Sequence, residues 1–173
     1  MKQILFKNFN SLNSFQKKMN KRLSRGDIIY RSTISDDLFF HEGIYIGENK
    51  VVHITSRNLG IFVISDSLEK FARNKTVKIK NTSNIFTNEE IAKRAESKIG
   101  QRWPYDTLLN NCESFTNYIS TGEKISLQGN LTLNLASFAG ICSYKKKRDF
   151  ISFILGTFEG ILISRMINKY IYS

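Results

Sequence analysis

The chain has 173 residues, 41% apolar and 24% charged, a globular composition long enough to bury one core without disulfide staples. Its two cysteines and two histidines exclude a disulfide framework and show no zinc-type spacing, so neither a metal nor a cofactor is expected. The formal net charge of +11 calls for an anionic partner, and on charge alone both nucleic acid and anionic lipid qualify.

The charge is unevenly placed. Between Met1 and Gly26 stand seven Lys or Arg and no acid, and a second cluster runs Lys145-Lys146-Lys147-Arg148. Residues 1–24 carry Leu5, Phe9, Leu12, Phe15, Met19 and Leu23 at helical spacing among lysines. That pattern describes a basic amphipathic helix, lying on a membrane surface or packed on its own domain. It lacks the uninterrupted apolar core of a secretory signal. A transit peptide fits less well, because Arg is scarce.

From Gly26 to about Lys80 the pattern turns to short strands. Ile28-Ile29-Tyr30 follows Gly26-Asp27, and His41–Ile46 and Val51–Thr55 flank a turn at Gly47-Glu48-Asn49. Ile61–Ile64 and Val77–Ile79 are further strands, with a short helix at Ser67–Ala72 between them. Helix returns at Thr87–Ile99, where Thr87 and Glu90 have capping-box spacing and Gly100 is the stop. Another helix runs from Cys112 to Ser120 with Asn111 as its N-cap. Two apolar stretches, Leu131–Cys142 and Phe150–Ile163, flank the second basic cluster.

Cys112 therefore falls at a helix start. The unsatisfied N–H groups there favour thiolate over thiol, and they stabilise the oxyanion formed when a thiolate attacks a carbonyl. The bland reading of such a cysteine is a small buried hydrophobe. The histidines weigh against it, since both lie in one expected hairpin and register decides whether they cooperate. A two-residue turn at Glu48-Asn49 sets His53 opposite Ile44 and separates the rings. A three-residue turn pairs Ile46 with Lys50 and His53 with Gly43. In that second register His41, Gly43 and Tyr45 share a face with Val51, His53 and Thr55, and the other face is uniformly apolar. His41 and His53 then become diagonal neighbours, roughly 7–8 Å apart at the backbone. Histidine suits a thiol as general base, and a second group on the first ring fixes its tautomer. A thiol that must stay reduced fits an intracellular compartment.

The ordered blocks Gly26-Asp27-Ile28-Ile29, His41-Glu42-Gly43-Ile44-Tyr45-Ile46-Gly47, Val51-Val52-His53 and Asn111-Cys112-Glu113-Ser114-Phe115 resemble the lecithin:retinol acyltransferase family. That family includes the HRAS-like-suppressor phospholipase/acyltransferases and is related to NlpC-type peptidases. The likeness extends through Ile91–Glu96 and Ile99-Gly100 and covers about residues 25–125. It implies an α+β, circularly permuted papain-like fold, with a small antiparallel sheet packed on helices and the cysteine at a helix N-terminus. It also implies Cys112 as nucleophile, His41 as general base and His53 as the group that orients His41. An acyl group would pass from a phospholipid ester to the Cys112 thiol, then to an amine, alcohol or water. The chain departs from the family pattern at Glu42, where an aromatic is usual, and at Ser114, where histidine is usual. The loop after the second histidine also looks short. These departures bear on substrate more than on proton transfer.

Such a substrate requires a membrane surface. The expected organisation is an amphipathic helix over 1–24, the catalytic domain over 25–125 and a membrane-associating tail over 126–173. Phe150–Ile163 is about 14 residues and includes Glu159, short of the roughly 20 residues needed to span, which favours an interfacial or re-entrant helix. Gly156 and Gly160 have the spacing of helix pairing. The expected location is intracellular, peripheral to or tail-anchored on a membrane and facing the cytosol. The alternatives are an NlpC-type cysteine amidase or peptidase, or a catalytically inactive membrane-associated interaction module. A nucleic-acid partner is not expected, because the aromatics do not interleave with the basic residues.

Overall fold

The computed structural model describes residues 23–33, 40–57, 60–106, 109–147 and 149–172, with side chains as far as residue 167. The amphipathic segment expected over 1–24 lies outside the described residues, apart from Leu23 and Ser24. In chain order the elements are β1 (Ile28–Ser32), β2 (Phe40–Gly47), β3 (Lys50–Arg57), β4 (Gly60–Ser67), α1 (Leu68–Ala72), β5 (Val77–Ile79), α2 (Asn88–Glu96), α3 (Cys112–Thr121), α4 (Leu127–Lys147) and α5 (Phe150–Tyr172). The architecture is α+β, and the strands form one small antiparallel sheet in the order β4-β3-β2-β1-β5. Two compact units interleave along the chain. One holds the described residues up to Arg31, Glu42–Trp103 and Ile119–Thr121; the other holds Ser32–His41, Pro104–Tyr118 and Gly122–Ser173.

In the first unit the β2–β3 hairpin reconciles the two turns that the sequence allows. Glu48 and Asn49 both have positive φ, 48° and 60°, as a two-residue type I′ turn requires. Gly47 accordingly pairs with Lys50, yet beyond the turn Tyr45 pairs with Val51 and Ile44 with Val52. A β-bulge at Ile46 absorbs the extra residue. The register is thus the one that a three-residue turn would have set, and alternation puts Gly43 across from His53.

Both faces of this hairpin are buried. Ile44, Val52 and Ile54 line one, at 2% exposure or less. On the other, Tyr45 and Val51 join Ile29, Leu68, Phe71, Ala72 and Val77 in a core cluster beneath α1. Gly43 is small of necessity, since a Cβ there would come 2.7 Å from Val51 and 3.0 Å from the Phe71 ring. Burial on both faces explains why the strands carry unbroken apolar runs rather than clean alternation.

Helix starts follow local chemistry. Ser67 caps α1 by accepting from the Lys70 amide, and Thr87 with Glu90 completes a reciprocal capping box on α2. The α2 helix ends at Glu96, three residues short of the Ile99 expected from sequence, and the chain reaches Gly100 through a turn. Arg25 fastens the sheet to α2. Its guanidinium donates to both Glu96 carboxylate oxygens at 2.8 Å, to Glu89 at 3.0 Å and to the carbonyl of the bulge residue Ile46. Gly26 completes that junction, because a Cβ on it would fall 2.0 Å from the Asn88 carbonyl oxygen.

In the second unit α4 and α5 form an antiparallel helical hairpin sorted inside out. The buried positions are Gly129, Thr132, Ala136 and Gly140 on α4, and Ser152, Gly156, Gly160 and Ser164 on α5. A Cβ on Gly160 would lie 2.2 Å from the Leu135 carbonyl oxygen, and one on Gly156 would lie 2.3 Å from Ser143 Oγ. The Gly-x-x-x-Gly spacing therefore serves close packing within one chain, helped by a buried Thr132–Ser164 hydroxyl bond of 3.0 Å. Large apolar side chains such as Phe138, Ile141, Ile151, Leu155, Phe158 and Leu162 face outward. Asp149 begins α5 by accepting from the Ser152 amide and hydroxyl, both at 2.7 Å. The helix runs past Ser164-Arg165 to Tyr172, longer than the segment ending at Ile163 that composition marked out. Over Phe150–Ile167 it is long and apolar enough to cross a membrane, with mean hydropathy 1.6.

Replacing Arg25 by Ala removes a charged donor from the bulge carbonyl. The half-exposed carboxylate contacts add little, so the expected loss is about 1–2 kcal/mol. It should appear as a lower urea midpoint with an unchanged slope. An unmoved midpoint would show that the bulge does not depend on Arg25.

Candidate active site

Cys112 is the first residue of α3. Asn111 precedes it in extended conformation and accepts from the Ser114 amide at 3.1 Å, an N-cap that leaves the helix start at the cysteine. The thiol is part-buried and donates to the Phe40 carbonyl at 3.5 Å. Phe40 is the first residue of β2 and His41 the second, so the second unit brings the thiol to the strand end that carries His41. His41 itself is half-buried. Tyr105 lies in the same unit; burial, then Cys112 and Asp106, push its phenol above the ordinary value.

His53 belongs to the first unit, on β3, and is only 5% exposed. Its Nε2 is 3.3 Å from Asp66 Oδ2 on β4, and its ring meets Phe71 edge-on at 5.3 Å. The β3–β4 register pairs His53 with Ile64 and Val51 with Asp66, which makes Asp66 the diagonal neighbour of the histidine. Asp66 in turn accepts from Lys70 Nζ at 2.7 Å. Burial lowers the imidazole below its ordinary pKa of 6.5, Asp66 opposes that shift, and Arg31 adds to it.

Asp66 is the functional candidate that sequence reasoning missed. The strand expected at Ile61–Ile64 stopped short of it, whereas β4 runs Gly60–Ser67. Extending the strand to the helix cap at Ser67 would have placed a carboxylate beside His53.

The two departures from the family pattern both point inward. Glu42 has no exposed surface and accepts from Lys80 Nζ at 2.7 Å, a buried ion pair between β2 and the chain after β5. Ser114 is also fully buried, and its hydroxyl donates to the Asn111 carbonyl at 2.9 Å. Among the described residues no group of three or more His, Cys, Asp or Glu side chains could hold a metal ion.

Comparison with known proteins identifies the family of the chain. The chain is 31% identical to lecithin retinol acyltransferase of Mus musculus over 135 residues, covering 60% of this chain and 57% of that protein. It is 27% identical to human phospholipase A and acyltransferase 1, covering 57% of this chain and 69% of that protein. With human phospholipase A and acyltransferase 2 it shares 27% identity over 72% of this chain and 93% of that protein. The chain thus spans little more than half the length of the lecithin retinol acyltransferase it matches, and its strands, its histidines and the Cys112 helix all fall in the region where the family profile aligns, residues 21–125. It belongs to the lecithin retinol acyltransferase family.

Proposed function

We propose that the chain is a thiol-dependent acyltransferase or phospholipase A-type enzyme acting on phospholipid esters, with Cys112 as nucleophile, His41 as general base and His53 as the residue that orients His41. The observation that carries this reading is the Cys112 thiol, capped into the first position of α3 and lying beside the Phe40 carbonyl, next in the chain to His41. Family membership and the names of the matched relatives support the reaction class. The proposal includes a circularly permuted papain-like arrangement, a reading supported by the order of the chain, histidine-bearing strands before a cysteine helix.

The steps follow from the chemistry of these groups. His41 takes the thiol proton, and the thiolate attacks the ester carbonyl while the N-terminal dipole of α3 stabilises the oxyanion. Collapse breaks the ester C–O bond, the imidazolium protonates the departing lysophospholipid oxygen, and the acyl group remains on sulfur as a thioester. An amine, alcohol or water then gives its proton to His41 and attacks the thioester, and the Cys112 thiolate leaves. Asp66 holds the His53 ring, which acts as a positioning residue in this scheme.

The α4–α5 hairpin is the proposed membrane element, and the tail-anchored location facing the cytosol is part of the same proposal. Its outward face is apolar, and the exposed Lys145, Lys146 and Lys147 would attract anionic headgroups at about 1 kcal/mol per charge. This favours the lipid substrate over the peptide bond of an NlpC-type amidase.

Incubated with phospholipid vesicles, the wild-type protein should gain a hydroxylamine-sensitive adduct of fatty-acyl mass that Cys112→Ser lacks, as read by intact mass spectrometry. An adduct surviving in Cys112→Ser would remove the nucleophile assignment. Turnover of peptides without any lipid turnover would move the chain to the amidase reading.

His53 titration gives a second test. In the folded protein the ring should titrate below 6.5, so stability declines as pH falls through 6.5 toward the folded midpoint, where the unfolded chain binds more protons. Asp66→Asn removes the group that opposes this shift and should lower the midpoint further, as read by NMR of labelled histidine. A midpoint unmoved by Asp66→Asn would show that the carboxylate does not hold the ring.

A further inference from the structure

A closed hydrogen-bond junction joins the start of the Cys112 helix to the start of the membrane-associating hairpin. Glu113, the residue after the nucleophile, is 2% exposed and points its carboxylate at the first turn of α4. Its Oε2 accepts from the Ser126 hydroxyl at 2.8 Å and from the Gln128 amide at 3.0 Å. Ser126, 1% exposed, accepts from the Gly129 amide at 3.0 Å and from the side-chain amide of Asn111 at 2.9 Å. Asn111 is the N-cap of α3, so one of its side-chain atoms caps the helix that starts at Cys112 while the other is bonded to Ser126, the residue before α4. The residues on both sides of the nucleophile are therefore fastened to the same serine.

A buried carboxylate is costly unless it is bonded, and a helix N-terminus is where its charge is best tolerated. The α4 start satisfies Glu113, and Glu113 satisfies two donors at the α4 start. If one helix end moves away, the bonds from Glu113 and Asn111 to the other are lost, although each end keeps its own cap. The hairpin beyond this junction is closely packed, its two helices meeting at Gly140, Gly156 and Gly160.

We propose that Glu113 is a positioning residue for the nucleophile, clamping the start of α3 through Ser126 to the α4–α5 hairpin, so that the element meeting the lipid surface also sets the aim of the Cys112 thiol. The inference rests on the nucleophile assignment above. The bonds rather than the charge carry the clamp: a glutamine at 113 could accept both with its single oxygen, and an alanine could accept neither.

The test uses the full chain with phosphatidylcholine vesicles containing a fraction of phosphatidylserine, comparing Glu113→Ala, Glu113→Gln and Ser126→Ala with wild type and Cys112→Ser. Glu113→Ala and Ser126→Ala should each lower kcat at least tenfold with KM in vesicle lipid changed less than twofold. Glu113→Gln should retain kcat within about threefold. Because both alanine variants break one junction, the double variant should be no slower than the slower single. A kcat within twofold of wild type in folded Glu113→Ala would overturn the proposal, as would losses confined to KM or multiplied in the double variant. Equal loss in Glu113→Gln and Glu113→Ala would also overturn it, pointing to charge. If Glu113→Ala does not fold, Ser126→Ala reads the same junction with the carboxylate in place. Full activity in Cys112→Ser would sink the nucleophile reading itself, whereas an inactive Cys112→Ser beside an unimpaired Glu113→Ala would sink only the clamp.

Discussion

The β-bulge at Ile46 is the constraint on which the first unit depends. A side-chain period of two means that a slip of one residue would turn every side chain of β3 over. The tight turn at Glu48-Asn49 would by itself impose the register that carries His53 away from the Gly43 face. One extra residue at Ile46 cancels that slip, and the consequences run through the unit. Tyr45 and Val51 share the cluster under α1, on the face where Phe71 meets His53. A bulge leaves a carbonyl out of the ladder, and here the Arg25 guanidinium binds it. One arginine thereby links the register of the hairpin to the position of α2.

The sequence made the helix starts plain because caps are local chemistry. Thr87 with Glu90 and Asn111 before Cys112 mark α2 and α3 within a residue of where they begin. Strands were legible from β-branched runs, although β4 continues three residues past the Ile64 where such a run ends, and the placement of two histidines on paired strands needed only the count of residues between them. The bulge was not legible in the same way. Sequence offered either a short turn or the register that pairs His53 with Gly43, and the bulge that lets them coexist is bonded by Arg25, a residue twenty-one positions earlier that finds Ile46 only in the folded chain. Asp66 and the Glu113–Ser126 bond were hidden for the same reason. Each is polar chemistry between elements, and no periodicity within one element announces it.

The sheet and the α4–α5 hairpin obey opposite burial rules. Around the sheet, large apolar residues such as Ile44, Val52, Phe71 and Ile91 are inside, and water is the solvent that drives them there. In the α4–α5 hairpin the small residues are inside and the large apolar ones outside. In water that arrangement leaves Phe138, Phe158 and Leu162 exposed with nothing gained, because glycine and serine bury little apolar area. In hydrocarbon the balance reverses. Lipid does not penalise large apolar side chains, and helices associate through close backbone approach and hydroxyl bonds such as Thr132 to Ser164. The apolar composition of the tail was evident from sequence, but its sorting required knowing which face of each helix meets the other.

The departures at Glu42 and Ser114 gain a physical reading from the same burial argument. Had either side chain pointed to solvent beside the reacting groups, its change of type would alter what a substrate meets. Both are fully buried and bonded, Glu42 to Lys80 and Ser114 to the N-cap backbone that begins the Cys112 helix. An aromatic at position 42 would take the 2.7 Å carboxylate contact from a Lys80 side chain that is 13% exposed, a cost that exchanging both residues together would lessen. Ser114, by contrast, is small enough to fold its hydroxyl back onto Asn111. That bond reinforces the cap whose other contacts reach Ser126 and Glu113. At positions 42 and 114 the residue type therefore serves the bonding that holds a strand and a helix end in place.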